Sequence, residues 1–433
     1  MPDVVVVGAG LSGLACAWQL GRSGIEVLVL DRAREPGGVV RSHQIDGFLV
    51  ESGPNTLLPA EGTGTLIREA GIASEIVTAP KGLPRFIYVG GRLRKVPWVL
   101  SPRGIARALV EPLVPRRPGE RDESVAGFAT RRFGRQAHDR LVAPFVGGIY
   151  AGDTEQLGVE GAFPRLAALE RRYGSVILGF LRSPGSRPRP VLSSFRKGMA
   201  TLPQSLASQT NLCLGVPEVR VSSGAAGHWQ VDSSRGALAP RAVVLAVPAY
   251  AVRGCFADPV LGELLSAVDY APVLVAAAAF DRSQFDAVPR GFGFLVPRAE
   301  GLRVLGALFS SGIFPGRAPE GKVLLTAFLG GALDREVPEW PDTRVWETLD
   351  LELRQVLGFR GSLRPIGLHR YPRGIPQYPI GHRLWRHRVC DRLNDLGGLF
   401  LTGNYLDGVS VPLTLEHGRK TAGAVRRYLE SKS

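Results

Sequence analysis

The hydrophobic pattern is clearest at the start of the chain. Val4–Val7 is a continuous apolar run, which is typical of a strand buried on both faces of a parallel sheet. Apolar residues between Leu14 and Leu20 have helical spacing, and Val27–Leu30 repeats the buried-strand pattern. Residues 3–33 therefore predict a strand, a helix and a second strand.

Further along, the pattern changes several times. Apolar residues three and four apart predict helices over 100–182, and apolar runs predict strands over 216–250 and an antiparallel sheet over 270–330. The other segments are a breaker-rich connection at 183–190, an amphipathic helix at 342–357, and a final strand, loop and helix. This order indicates a nucleotide-binding domain assembled from distant pieces, with other domains inserted.

A short hairpin carries the first candidate binding residue. The runs Phe86–Val89 and Arg92–Val96, separated by Gly90-Gly91, predict two strands joined by a tight turn. Arg85 stands at the head of this hairpin. Taken alone, an arginine there is more typical of a solvated strand end than of a ligand contact.

The bulk composition is that of a soluble globular protein. A length of 433 residues suggests two or three domains, and 45% hydrophobic with 21% charged residues is ordinary for that class. The longest apolar runs, such as residues 273–280, are much shorter than the roughly 18 residues that a membrane span needs. The first strand begins at Val4, so no cleavable signal is expected and the protein should stay where it is made.

No metal site is expected from the cysteines and histidines. The four cysteines are scattered, which is typical of free thiols in a reducing compartment. The seven histidines form no HxxxH or HExxH pattern, and His382 and His387 are five apart, a poor ligand pair on a helix.

The positive charge is concentrated in one segment. The net charge is +14, and residues 81–197 alone hold 22 Lys and Arg against 9 Asp and Glu. A charge that served only solubility would be dispersed, so this segment suggests a surface for an anionic membrane or an acidic ligand. A plain solvated loop remains the alternative. Nucleic acid is disfavoured because no zinc-finger, RNP-like or KH-like signature is present.

The first predicted strand and helix are joined by a dinucleotide fingerprint. Gly8 permits the tight turn, Gly10 lets the backbone approach a pyrophosphate, and Gly13 lets the helix pack on the strand. Asp31 follows Gly13 by 18 residues and ends the second strand, where a carboxylate meets a ribose hydroxyl. An acid there favours NAD or FAD over NADP. No second fingerprint is present, so electrons are expected to pass to oxygen or another acceptor.

The loop after Asp31 adds a family resemblance. DRAREPGGVVRS followed by GFLVESGPNT resembles the FAD-binding amine oxidase superfamily. The chain is similar in particular to the protoporphyrinogen oxidases of that superfamily, through the stretches GPN (53–55), PRFIYVGG (84–91), GGIYAGD (147–153), FPGRAPEGKVLLTAFLGG (314–331), GIPQYPIGH (374–382) and LTGNYLDGVSV (401–411).

The resemblance implies an α/β fold, α+β overall, in three parts. These are a discontinuous Rossmann-like FAD domain (1–60, 195–265 and 390–433), an antiparallel-sheet substrate domain (61–95 and 266–389) and a mainly helical membrane-associating insert (96–194). It also implies oxidation of protoporphyrinogen IX to protoporphyrin IX with oxygen reoxidising the flavin. The protein would be cytoplasmic and peripheral at an anionic membrane surface, with a homodimer or a haem-pathway protein as a further partner.

The same resemblance implies the site residues. Non-covalent FAD should meet Gly8, Gly10, Leu11, Ser12, Gly13, Asp31, Arg32, Gly38, Val39, Arg41, Gly53, Pro54, Asn55, Thr56, Val219, Asn404, Val409, Ser410 and Val411. The tetrapyrrole should meet Arg85 through a propionate, Gly148 through its carbonyl, and Leu295 and Phe314 on its rings. Leu295 and Phe314 could instead be ordinary core, and Gly148 a turn glycine.

The residues show no paired carboxylate and no Ser/Cys–His set. Because the flavin can take a hydride directly, we expect catalysis by positioning, with no essential side-chain acid or base. The sequence departs from the family at Pro412, where a small or polar residue is more common, although proline suits a first helical turn. The alternatives are oxidation of coproporphyrinogen III, oxidation of an amine or carotenoid, and a non-catalytic flavin-binding scaffold.

Overall fold

The computed structural model describes residues 1–59, 61–96, 98–117, 122–183, 191–224, 228–288 and 290–432. The strands are β1 Val4–Val7, β2 Val27–Leu30, β3 Ser42–Ile45, β4 Phe48–Glu51, β5 Ile76–Thr78, β6 Arg85–Tyr88, β7 Leu93–Lys95, β8 Ser193–Phe195, β9 Leu212–Cys213, β10 Val219–Ser223, β11 Trp229–Ser233, β12 Gly236–Leu238, β13 Ala242–Leu245, β14 Tyr270–Asp281, β15 Gly293–Leu295, β16 Val304–Leu308, β17 Lys322–Gly330, β18 Arg364–Pro376 and β19 Leu399–Leu401. The helices are α1 Leu11–Arg22, α2 Glu61–Glu69, α3 Pro102–Leu109, α4 Val125–Phe133, α5 Arg135–Ala137, α6 Ala143–Tyr150, α7 Val159–Ala162, α8 Pro164–Tyr173, α9 Val176–Arg182, α10 Thr201–Ala207, α11 Ala249–Cys255, α12 Pro259–Ser266, α13 Ser310–Ile313, α14 Asp342–Leu357, α15 His382–Leu396 and α16 Val411–Ser431.

The four valines of β1 lie at the centre of a five-stranded parallel sheet with the order β19-β13-β1-β2-β9. All four are buried, as a strand covered on both faces requires. The strands of this sheet come from residues far apart in the chain, while α1 and α16 pack on it. The α/β fold class is confirmed, whereas the predicted domain boundaries stay a prediction.

A seven-stranded sheet forms the second layer, with the order β18-β14-β17-β16-β15-β6-β7. The sequence predicts its strands over 270–330 correctly, but the sheet is mixed because β6 pairs with β15 in parallel. The pattern missed β18 altogether. That strand carries Pro365, Pro372 and Pro376 and lacks a regular apolar alternation, which a strand at a sheet edge tolerates.

The segment from α3 to α9 is helical, as its apolar spacing predicts. Its packing depends on a buried charge cluster. Arg132 is fully buried and lies 3.2 Å from Glu111 and 2.6 Å from Glu170. The carboxylate of Glu111 in turn accepts hydrogen bonds from the backbone N–H groups of Val176 and Ile177. The cluster therefore ties the residues after α3 to α4, α8 and α9. The predicted connection at 183–190 lies outside the described residues from residue 184 onward.

Among the residues that the structure describes, no helix is both long and apolar enough to cross a bilayer. Over the same residues, no group of three or more His, Cys, Asp or Glu side chains is placed to hold a metal ion.

Candidate cofactor and substrate site

The turn between β1 and α1 has little free space, except at one glycine. Gly8 has a φ of +115°, and a Cβ there would lie 2.8 Å from the carbonyl oxygen of Ala246. A Cβ on Gly13 would lie 2.1 Å from the carbonyl oxygen of Gly8. A Cβ on Gly10, by contrast, would meet no atom of the described residues within 4 Å. The space beside Gly10 is therefore open at the point where α1 begins with Leu11 and Ser12.

Asp31 lies beside this opening at the end of β2. Its Oδ2 accepts a hydrogen bond from the backbone N–H of Ala9 at 2.5 Å, and its Oδ1 accepts one from Ala33 at 2.7 Å. These bonds hold the carboxylate next to the glycine turn, while the following Arg32 is exposed. Val216 donates its N–H to the carbonyl of Asp31, and Val219, three residues further, is buried in the core cluster that contains the end of β2.

Two loops close around Gly10. The N–H of Gly37 donates to the carbonyl of Ala9 at 2.8 Å, and a Cβ on Gly38 would lie 3.4 Å from the Cα of Gly10. The Gly53–Thr56 loop, which includes Pro54, abuts this first loop, since a Cβ on Gly53 would lie 2.1 Å from the carbonyl oxygen of Val39. Within the loops, the Nε of Arg41 donates to the carbonyl of Gly38, and Asn55 donates to that of Gly53.

The C-terminal segment reaches the same glycine turn. Ser410 caps α16 by accepting a hydrogen bond from the N–H of Leu413, and Pro412 lies in the first turn, as predicted. A Cβ on Gly418 would lie 2.3 Å from the carbonyl oxygen of Ser12, so α16 crosses α1 at close range. Val411 shares a core cluster with Leu11, and this brings Val409–Val411 toward the start of α1.

A tyrosine that the sequence analysis did not single out orders this segment. The hydroxyl of Tyr378 donates to the carbonyl of Asn404 and accepts from the N–H of Gly408 at 2.7 Å. The neighbouring Gln377 donates to the carbonyl of Tyr150 at the end of α6. Both residues belong to GIPQYPIGH, so the motif was the signal, but nothing local indicated what their side chains contact.

Two rows of paired residues run across one face of the seven-stranded sheet. Directly paired residues project to the same face. The first row is Ile87, Leu295, Gly306, Phe328, Val275 and His369. The second is Arg85, Gly293, Leu308 and Thr326. Arg85 and Leu295 therefore project from the same face of adjacent strands, one row apart.

Helix α6 packs against the first row. A Cβ on Gly148 would lie 2.8 Å from the Cδ2 of Leu295, so the two predicted substrate residues touch. Gly306, between Leu295 and Phe328, leaves its place on the face to Leu295, because a Cβ on Gly306 would lie 3.1 Å from the Cδ2 of Leu295. The structure thus brings Gly148 and Leu295 together, with Leu295 half-buried beside Ile87.

Arg85 is the first residue of the second row, and Phe314 lies near this row. The guanidinium of Arg85 is 5.1 Å from the ring centre of Phe292, and no carboxylate of the described residues lies within 4.0 Å of it. Phe292, which the sequence analysis missed, shares a small apolar cluster with Phe314 and Leu308. Arg85 is exposed and Phe314 is buried.

The sheet face and the cofactor loops meet at a small cavity. It has a volume of about 10 Å³, roughly the room of one water molecule, and its lining includes Asn55, Thr56, Leu308 and Phe314. Residues predicted to contact FAD and residues predicted to contact substrate therefore border one space. The predicted site residues fall on one connected region, with Val219 at its far end beside Asp31.

These residues fit an FAD cofactor. Any side chain at position 10 would fill the open space beside Gly10. This space lies at the N-terminal end of α1, and the carboxylate of Asp31 lies next to it. Gly8, Gly10, Gly13 and Asp31 would hold the adenosine diphosphate half. The loops at 38–41, 53–56 and 404–411 would surround the rest.

Two histidines, the buried His382 and the half-buried His417, flank the C-terminal loop and make it sensitive to acid. His382 stacks on Tyr378 with ring centres 4.2 Å apart, and the Nδ1 of His417 lies 3.0 Å from the Oγ1 of Thr402. Burial lowers the pKa of each imidazole from 6.5 to about 4. Between pH 6.5 and about 4, the two imidazoles are therefore protonated in the unfolded chain but stay neutral in the folded protein.

Stability is therefore expected to be full above pH 6.5 and to fall as the pH drops from 6.5 toward 4. Each histidine contributes at most about 1.4 kcal/mol per pH unit within that window. Chemical unfolding at a series of pH values measures the slope of the unfolding free energy against pH. FAD fluorescence shows whether the cofactor is released over the same pH range. His417→Gln should reduce the slope, whereas substitution of the exposed His228 should not. An equal slope in both variants would contradict the assignment.

The family model described as flavin containing amine oxidoreductase matches residues 11–426. The chain is 31% identical to the chloroplastic protoporphyrinogen oxidase of Nicotiana tabacum, over 99% of this chain and 86% of that protein. It is 24% identical to the coproporphyrinogen III oxidase of Bacillus subtilis (strain 168), over 99% of this chain and 98% of the relative.

Among solved structures, the fold is similar to that of a protein described as a candidate protoporphyrinogen oxidase from Exiguobacterium sp. 255-15. The TM-score is 0.84 at 23% identity, over 99% of this chain and 98% of the other. At that identity the match supports the fold alone.

Proposed function

The chain belongs to the flavin containing amine oxidoreductase family, and from that premise we propose that it oxidises protoporphyrinogen IX to protoporphyrin IX with oxygen as the terminal acceptor. It is an FAD-dependent oxidoreductase, because the family match covers nearly the whole chain and a relative more than 30% identical aligns along its length. The substrate is the part that is proposed.

One observation carries the proposal. Arg85 and Leu295 project from the same face of the sheet, Gly148 of α6 touches Leu295, and this face borders the cofactor loop at Asn55 and Thr56. An apolar surface with an exposed arginine at its margin, which no carboxylate of the described residues contacts within 4.0 Å, suits a large apolar molecule that carries a carboxylate. A tetrapyrrole with propionates has that chemistry.

FAD, when bound, supplies the hydride acceptor for this oxidation. The side chains of the protein then have the task of positioning. Arg85 binds a propionate, Leu295 and Phe314 contact the rings, and Gly148 of α6 faces the macrocycle through its carbonyl. The N-terminus of α16 places the positive end of its dipole at Val409–Val411, where it favours negative charge on the cofactor.

The direct test supplies protoporphyrinogen IX and coproporphyrinogen III separately to the purified holoenzyme and follows porphyrin fluorescence. We expect faster turnover of protoporphyrinogen, because the proposed contact with this face uses one arginine, Arg85, and coproporphyrinogen carries four propionates. Faster turnover of coproporphyrinogen would favour the activity named for the Bacillus subtilis relative. Oxygen uptake with an amine and none with either porphyrinogen would reject both.

We further propose that the protein is cytoplasmic and docks on an anionic membrane through the surface formed by Trp98, α3 and Leu113. Helix α3 buries none of its residues, and Trp98, Leu109 and Leu113 are 70%, 69% and 82% exposed. Two exposed basic residues are close in sequence to these apolar side chains, Lys95 three residues before Trp98 and Arg103 within α3. An apolar patch with a basic margin is the chemistry that a negatively charged bilayer surface takes.

Sedimentation with vesicles containing anionic lipid tests this surface. Binding is expected to weaken as salt rises, and Lys95→Gln with Arg103→Gln should remove most of the salt dependence. Trp98→Ser with Leu113→Ser should lower binding at all salt concentrations. Leu384→Ser, which removes an equally exposed leucine on α15, is the matched control. Equal binding by all these variants would reject the proposed surface.

A further inference from the structure

Arg317 is a buried arginine that the proposed function does not yet use. It lies between α13 and β17 and is 2% exposed. One nitrogen, Nη2, donates to the hydroxyl of Ser194 at 2.7 Å and to the carbonyl of Phe195 at 3.1 Å. The other terminal nitrogen, Nη1, is buried and has no hydrogen-bond partner among the described residues. A buried N–H of a charged group without a partner is costly, and such groups call for an explanation.

The surroundings of Arg317 connect the two halves of the site. Its guanidinium carbon is 5.5 Å from the ring centre of Phe314, and the residue lines the small cavity that Asn55 and Thr56 also border. A cation over an aromatic ring restrains where that ring can lie. Arg317 therefore contacts a predicted substrate residue and borders the predicted cofactor loop at once.

The partner of Arg317 lies on the cofactor side. Glu51, at the end of β4 and two residues before Gly53, is 3.7 Å from the Nη2 of Arg317. Its carboxylate accepts hydrogen bonds from the backbone N–H of Met199 at 2.9 Å and from the hydroxyl of Ser42 at 2.6 Å. The strand that leads into the Gly53–Thr56 loop is thus tied through Glu51 and Arg317 to Phe314.

We propose that Arg317 is a positioning residue for the oxidation. It fixes Phe314 relative to the Gly53–Thr56 loop, and its free N–H directs a hydrogen bond, through one water, into the junction of cofactor and substrate. The inference rests on the proposed function, because the two groups it aligns are the predicted cofactor loop and the predicted ring contact. It adds a residue between them that touches neither reacting atom.

If Arg317 only stabilised the fold, a variant that restores stability would also restore activity. A buried ion pair can often be replaced by apolar residues of similar volume without loss of stability, whereas removal of one partner leaves a buried charge. Glu51 can relieve that charge by protonation, since burial raises its pKa to about 7. The double variant Glu51→Gln with Arg317→Met removes both charges and should fold, so it separates stability from positioning.

The experiment compares Arg317→Met, Arg317→Lys, the double variant and Arg370→Met. Arg370 is the control arginine, because it lies on β18 of the seven-stranded sheet and donates to two backbone carbonyls, those of Pro338 and Trp340. Anaerobic mixing with protoporphyrinogen measures the rate of flavin reduction. Thermal unfolding, the Kd for FAD and the visible circular dichroism of bound FAD are measured alongside.

Arg317→Met is expected to slow flavin reduction by roughly 10- to 100-fold, the cost of misplacing reacting groups by about 1 Å, with less change in KM. The rate of flavin reduction in Arg317→Lys should lie between those of Arg317→Met and the wild type, because lysine keeps a cation near Phe314. The double variant should recover Tm but not the rate. Arg317→Met and the double variant should both alter the circular dichroism of bound FAD, whereas Arg370→Met should lower Tm and leave rate and spectrum unchanged.

Two results would overturn the inference, and they are distinguishable. If the wild type reduces its flavin and the double variant recovers rate and Tm together, Arg317 is structural and the proposed function stands. If the wild type reduces its flavin with neither porphyrinogen, the proposed function fails and this inference fails with it.

Discussion

Gly10→Ala is expected to leave the apoprotein as stable as the wild type and to weaken FAD binding by about 10- to 100-fold, the loss of one hydrogen bond to a charged phosphate. The reason is that no atom in the described part of the chain lies within 4 Å of the added Cβ, so the methyl group takes space only from a ligand. The Kd for FAD, from flavin fluorescence titration of the apoprotein, measures the effect.

Gly13→Ala is the counterpart and should act through the fold. Its Cβ would lie 2.1 Å from the carbonyl oxygen of Gly8 and 2.8 Å from the Cβ of Ala246, and neither group can move without shifting the sheet. Overpacking of backbone against backbone should cost about 3 kcal/mol or more of unfolding free energy, even without cofactor. Gly21→Ala is the control, because its Cβ would meet none of the residues that the structure describes within 4 Å, and no ligand is expected there.

The pair of substitutions separates a packing glycine from a ligand glycine. If Gly10→Ala destabilised the apoprotein as much as Gly13→Ala, glycine at position 10 would be required for packing and not for a ligand. If Gly10→Ala bound FAD as tightly as the wild type, the pyrophosphate would lie elsewhere.

Arg85→Met is expected to raise KM for protoporphyrinogen by about 10- to 100-fold and to change kcat by less than about threefold, because a hydrogen-bonded ion pair with a propionate is made equally in ground and transition states. No carboxylate of the described residues pairs with Arg85, so its removal leaves no buried charge behind. Steady-state porphyrin fluorescence at varied substrate concentration gives both constants.

The control for Arg85 is Arg92→Met, which removes the same charge from the turn end of the same hairpin. General attraction of an anionic substrate by the basic segment would raise KM in both variants and would weaken with salt. A specific contact raises it only for Arg85. An unchanged KM in Arg85→Met would show that this arginine is a solvated strand end.

Much of the site could be predicted from local sequence, because it depends on steric contacts between residues that are close together in the chain. The turn at Gly8, the close packing at Gly13 and the acid at Asp31 each depend on residues within one strand–helix–strand unit. Their order along the chain therefore predicts their arrangement, as the hydrogen bonds of Asp31 to Ala9 and Ala33 illustrate. The helix at 342–357 was predicted to the residue for a similar reason, since its apolar period is unbroken.

Other features were beyond local reading because they depend on pairing between distant segments. The edge strand β18 has no clear period, and the mixed character of the large sheet arises because β6 pairs with β15, more than 200 residues later. The contacts of Tyr378 with the loop at 404–408 and of Arg317 with Glu51 likewise join residues far apart in sequence. Nothing in the flanking residues of Arg317 indicates that it is buried.

The sequence by itself determined the strand–helix–strand unit, its glycine turn and the family to which the chain belongs, since these depend on the order of neighbouring residues. Only the tertiary structure decided that Arg85 and Leu295 share a face, that Gly148 touches Leu295, and that this face borders the Gly53–Thr56 loop. The physical reason is strand register. A shift of one residue would turn either side chain to the opposite face, and register is set by the packing of the whole sheet.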